Sequence, residues 1–313
     1  GITTVFEMPN CTPTIHSAES LRDLVSVIQP KAHADFCVWG LALGDANLAS
    51  LPALAEAGCV AFKFFWGYAV DRRDNSLIYN YREGMENVLP PPDDGQIYRL
   101  FRAVKATGKR LGIHAENFSI VRALTQEVLA TGAQDYAALL RTRPVSCETS
   151  IIDTAIDMAK ELSVPLHVLH VGVGDGVEHL RRAKADGVDV TAETCTHYLT
   201  LTDRDARRCG AVMKTYPLIR TAADRQAVWQ GLADGTLDWV CSDHAPHTFE
   251  EKHRSFWDAP AGISGIEGLS PVLLTAVHRG LLTLPRVAAI TSANAARTFG
   301  LYPRKGVIRP GAD

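Results

Sequence analysis

Four residues stand where a barrel enzyme would keep its chemistry: Lys63 inside VAFKFFW, His114 in RLGIHA, His170 in LHVLHV and Asp243 at the end of DWVCSD. Each lies in a short apolar run rich in β-branched or aromatic residues, which reads as a β-strand. Imidazoles and a carboxylate delivered from different elements suit a borderline cation such as Zn²⁺, with a position left for water. A lone His on an apolar strand is more often a satisfied core residue, and His167 reads that way. Donors at three corresponding strand ends are harder to ascribe to chance. Lys63 poses a separate question, because an isolated ammonium inside an apolar strand is costly. A paired carboxylate, a lowered pKa or a carbamate made from its amine and CO₂ would each relieve that cost, and spacing alone does not choose among them.

Those side chains need a frame. Strand-like runs at 3–8, 36–42, 60–66, 110–115, 166–171, 189–195 and 238–243 alternate with segments of helical periodicity such as IYRLFRAVKATG, SIIDTAIDMAKEL and GVEHLRRAKADG. The first and last of these segments close on Gly, as a helix C-terminus would. Near-continuous apolar strands between amphipathic helices imply a parallel sheet covered by helices, an α/β architecture of the (β/α)8 TIM-barrel type. The seven runs would be its second to eighth strands, the first lying ahead of Gly1. A doubly wound sheet is the alternative, but no GxGxxG follows the first run. The barrel is expected over 1–300, with 301–313 opening a truncated C-terminal β-sandwich segment. Two stretches break the rhythm, 67–94 and 247–270. Both follow strand ends, where lids over a site belong.

Composition narrows the class. With 46% hydrophobic and 21% charged residues the chain is an ordinary globular sequence. A net charge of -3 and a pI near 6.4 offer no basic surface for a phosphate backbone, so a small molecule is the expected partner rather than nucleic acid. The seven cysteines are scattered without a CxxC pair, which reads as reduced thiols in a cytoplasmic protein. No stretch approaches the roughly 20 apolar residues of a membrane helix.

EMPNCTP, FKFFWGY, IHAEN, VLHVG, ETCTHYL, CSDHAPHTFEEK, SANAARTFGL and KGVIRPGAD resemble, in order and across essentially the whole chain, the cyclic amidohydrolases: dihydroorotases, hydantoinases, dihydropyrimidinases and allantoinases. The resemblance implies two Zn²⁺ ions bridged by carboxylated Lys63, with His114 and His170 on the second metal and Asp243 on the first. It also implies that metal-activated water opens a ring amide, Asp243 taking a proton and returning it to the leaving nitrogen, in a homo-oligomeric enzyme. The family pattern includes an HxH on the first strand, and this sequence holds no such pair ahead of GITTVFEMPN.

Within the family, the wording of MPNCTP and DHAPHTFEEK is closest to dihydroorotases. Asn10 and His247 match positions that hold a substrate carboxylate there, so the first expectation is interconversion of dihydroorotate and N-carbamoyl-aspartate. Tyr68, five residues after Lys63, instead resembles the tyrosine that hydantoinases and dihydropyrimidinases aim at the developing oxyanion. Thr215 stands where hydantoinases often use Ser for substrate binding. Hydantoinase, dihydropyrimidinase or allantoinase activity is therefore the second expectation, and a scaffold that keeps the barrel without catalysis is the third. Glu193 and His197, in ETCTHYL, are expected to support the site rather than to react.

Overall fold

The computed structural model describes residues 2–79 and 81–313. Its frame is a run of parallel strands taken in chain order: Thr4–Glu7, Asp35–Val38 continuing past Trp39 as Gly40–Ala42, Phe62–Trp66, Leu111–Ala115, Leu166–Val168, Val190–Cys195 and Trp239–Cys241. Asp35–Val38 pairs with Thr4–Glu7, whereas Gly40–Ala42 pairs with Phe62–Trp66. One interrupted strand thus carries the ladder from one neighbour to the other. This is the strand order of a (β/α)8 barrel. Among the described residues no ladder joins Thr4–Glu7 to Trp239–Cys241, and both edges face a common cavity instead.

Phe62–Trp66 and Leu111–Ala115 are buried at every position, which is why they read as unbroken apolar runs rather than as alternating ones. The Asp94–Thr107 helix shows how the outer layer is built. Asp93 caps it by accepting from the Gln96 amide at 2.8 Å while the Gln96 side chain accepts from the Asp93 amide at 2.9 Å. Ile97, Leu100, Phe101 and Val104 form its buried stripe, and Gly108, at a φ of 69°, ends it. Inside the barrel, Gly112 leaves room for Trp39: a Cβ there would lie 2.6 Å from the indole ring.

All seven expected runs contain strands, but the runs at 166–171 and 238–243 are cut short, at Val168 and Cys241. The physical reason is local. His170 and Asp243 each take a φ of 41°, a left-handed conformation that breaks the extended backbone two residues past Val168 and Cys241. The 67–94 stretch folds as a small antiparallel sheet with Ala69–Asp71 between Leu77–Ile78 and Val88–Leu89. Asn80, within that expected lid, lies outside the described residues. In the 247–270 stretch the Lys252 ammonium is buried but donates to the carbonyls of Lys214, Pro260 and Gly262 at 2.9, 3.0 and 2.9 Å, which tie the loop down. Residues 301–313 form turns, and the Lys305 ammonium pairs with Asp35 and Asp313. No described helix is long and apolar enough to cross a membrane.

Candidate functional site

The strand ends open into a cavity of about 970 Å³. Lys63, His114, His170, Glu193 and Asp243 supply its polar wall, and Val5, Trp239, Ile290 and Phe299 are among its apolar lining. The four ligands expected from the sequence therefore share one space, because a parallel barrel delivers every strand end to the same rim.

Lys63 is 4% exposed, has no ion-pair or hydrogen-bond partner among the described residues, and places its Nζ 4.2 Å from the centre of the Phe65 ring. Burial lowers its pKa, and nearby Asp243 and Glu193 only partly oppose this. Of the three ways to relieve a buried ammonium, a directly paired carboxylate is not the one seen.

His114 and His170 meet at 3.1 Å, Nδ1 of the first against Nε2 of the second, both rings buried. Burial, then the neighbouring His114 and Lys63, holds the His170 pKa well below its usual range, so its imidazole is neutral and a ring nitrogen keeps a lone pair. The other His170 nitrogen, Nδ1, is buried without a partner. Behind His114 lies an interaction that sequence reasoning missed. Glu116 Oε2 accepts from His114 Nε2 at 2.9 Å and from the Tyr68 hydroxyl at 3.0 Å, and Glu116 Oε1 accepts from Arg143 Nε at 2.9 Å. The signal for Glu116 was its i+2 spacing from His114, which puts both side chains on one side of an extended chain. Arg143, 27 residues further on, carried no such signal.

Asp243 is positioned by backbone. The Ala245 amide donates to the Ile263 carbonyl at 3.0 Å. Gly265 lies so close that a Cβ would stand 1.9 Å from the Ser242 carbonyl oxygen, so only glycine lets that loop seat beside the strand end. Burial raises the Asp243 pKa, with Lys63 opposing.

The remaining candidates divide. Asn10, Tyr68 and Thr215 line the cavity. Asn10 is exposed, with its amide 3.4 Å from the Tyr79 hydroxyl on the 67–94 sheet. Tyr68 packs edge-on against His114, its ring 5.0 Å away, and burial followed by Glu116 keeps its phenol protonated far above the usual range. His247 is not on the cavity wall. Its Nε2 donates to the Ala261 carbonyl at 3.2 Å and its Nδ1 lies 3.8 Å from the Glu251 carboxylate. His167 is the core residue expected, stacked on Trp239 at 4.5 Å. Glu193 accepts from Trp239 Nε1 at 2.5 Å. His197 is buried with neither ring nitrogen partnered, and with Cys195 and Asp243 it offers donor atoms within 4.8 Å of one another.

The donor set fits metal. Two imidazole nitrogens converge at a distance that repels if both carry lone pairs and binds if a cation lies beside them, and an unpaired amine and a carboxylate share their cavity. The sequence matches the Amidohydrolase family over residues 1–313. The chain belongs to that family. Among its curated relatives, an allantoinase of Streptomyces avermitilis is 36% identical over 314 residues, covering 100% of this chain and 66% of its own length. The solved L-hydantoinase (dihydropyrimidinase) from Arthrobacter aurescens superposes with a TM-score of 0.90 at 32% identity, over 100% of this chain and 67% of that one. A dihydroorotase from Saccharomyces cerevisiae gives a TM-score of 0.72 at 15% identity, covering 97% of this chain and 78% of that one, a likeness of fold alone. The chain spans about two thirds of the length of the curated amidohydrolase relatives it matches.

Proposed function

We propose that this amidohydrolase opens a neutral cyclic amide of the hydantoin or allantoin kind at a metal centre held by Lys63, His114, His170 and Asp243. The observation that carries the choice of ring is the position of His247. A residue serving a substrate carboxylate must face the cavity, and His247 turns to the Ala261 carbonyl with Glu251 beside it, an anion that would repel a second one. The relatives named allantoinase and hydantoinase, at 32–36% identity, support the same reading.

Bound divalent ions of the zinc class would polarise the amide carbonyl and activate water. Lys63 would help to hold them: buried and unpaired, its amine is pushed toward the neutral form that can add to CO₂ and so offer carboxylate oxygens. Asp243 accepts the proton of the attacking water and returns it to the leaving ring nitrogen. Tyr68 stays an O–H donor and can turn from Glu116 toward the amide oxygen as negative charge develops there. Asn10 and Thr215, on the same wall, contact the ring. The apolar part of the lining excludes water from the reacting centre.

The second reading, ring closure and opening of dihydroorotate, keeps the cavity-lining Asn10 in its favour. Turnover of hydantoin, allantoin, dihydrouracil and dihydroorotate by the zinc-loaded protein and its His247→Ala variant separates the two. The neutral-ring reading expects turnover of at least one uncharged ring, unchanged by His247→Ala. Preference for dihydroorotate, lost in that variant, contradicts it.

A further inference from the structure

Glu116 takes no part in the ring-opening steps outlined above, yet it bonds to three side chains around the site. One oxygen receives the His114 Nε2–H and the Tyr68 hydroxyl at 2.9 and 3.0 Å, and the other receives Arg143 Nε at 2.9 Å. All four residues are buried. Arg143 is itself fixed: its guanidinium lies 3.7 Å over the Tyr216 ring, and its carbonyl accepts from Arg220 Nη1 at 2.5 Å. Arg220 is in turn ion-paired with the buried Glu148.

A neutral imidazole has two ring nitrogens and one proton. If Nε2–H of His114 is given to Glu116, Nδ1 keeps the lone pair, and Nδ1 is the nitrogen that meets His170 at 3.1 Å. We infer that Glu116, clamped by Arg143, is a positioning residue that fixes which nitrogen of His114 faces the metal and at what ring angle. Without it the ring could turn or exchange tautomers, and one of two converging donors would be lost for part of the time. The inference rests on the metal-centre reading above and is independent of which ring is opened.

The test is metal affinity, measured by chelator competition on folded Glu116→Gln, Glu116→Ala and Arg143→Lys proteins beside the unaltered one. Glu116→Ala is expected to weaken zinc binding about ten- to a hundred-fold. Glu116→Gln keeps the shape and an acceptor oxygen but not the charge, and it should lose less; should the Ala variant fail to fold, it carries the test. Arg143→Lys should fall between Glu116→Gln and the unaltered protein. A merely structural role for Glu116 would lower the melting temperature and leave affinity in the folded variants untouched, and that result overturns the inference. Unaltered protein that binds zinc but opens no cyclic amide leaves this readout intact while refuting the proposed reaction. Unaltered protein that binds no zinc overturns both.

Discussion

The two sides of the site are held in different ways. Lys63 and His114 stand on strands paired on both flanks, and His114 is braced from behind by Glu116, Arg143 and Tyr68. Asp243 follows Trp239–Cys241, which among the described residues pairs only with Val190–Cys195, and its carboxylate has no hydrogen-bond donor there. In the proposed metal centre a ligand wall needs fixed lone pairs, and there side chains lock side chains. A carboxylate that must accept a proton and hand it on needs a fixed base and a free head group. The backbone supplies the first through Gly265 and Ile263, and the absence of donors leaves the second.

The sharpest way to break this contrast is to change each side and ask whether activity or stability moves. Asp243→Ala should cost activity by about 10²–10⁴-fold, the range of a general acid–base group, with the urea midpoint nearly unchanged. Arg143→Met should act on the other side through stability as well as through zinc affinity. It leaves the buried Glu116 with the His114 and Tyr68 donors but without its cationic partner, and should cost about 3–5 kcal/mol in urea unfolding. A similar loss of stability from both substitutions would show that the two sides are not built differently.

Acid unfolding probes the braced side alone. Burial works to raise the Glu116 pKa, but Arg143, His114 and Tyr68 outweigh it and hold the group at about 2 against an ordinary 4.5. The folded pKa is thus below the unfolded one. The contribution, roughly 3 kcal/mol, is fully present above pH 4.5 and is lost as pH falls toward 2. Glu116→Gln should flatten the stability curve in that window, and an unchanged acid limb would remove Glu116 from the brace. The smallest effect expected is at the junction of the two sides. Tyr68→Phe should lower kcat about 10²-fold through loss of one oxyanion donor, while zinc affinity stays within a few-fold of the unaltered protein.

The sequence carried the frame well because a parallel barrel strand is buried on both faces. VAFKFFW and RLGIHA have no polar face to confuse the pattern, and Lys63, His114, His170 and Asp243 line one cavity, as their places at strand ends implied. What escaped notice depends on contacts between distant positions. Glu116 sits inside the IHAEN motif, but its partner Arg143 comes from the end of the Tyr136–Thr142 helix, and no local spacing links them. The early ends of the 166–171 and 238–243 runs reflect positive φ at His170 and Asp243, residues whose identity gives no hint of it. His247 read as a carboxylate binder by position in a motif. Its orientation is set by Ala261 and Glu251, a tertiary matter.

If the Lys63, His114, His170 and Asp243 cluster is a metal centre that opens cyclic amides, turnover must follow the metal. The most direct measurement is ring opening of allantoin and hydantoin by protein stripped with a chelator and then reloaded with zinc in bicarbonate, metal content being counted at each stage. Activity should disappear with the metal, return with it, and fail to return in Lys63→Ala. Turnover that survives complete removal of metal, or a fully metal-loaded protein inert on every cyclic amide tried, would contradict that role for the cluster.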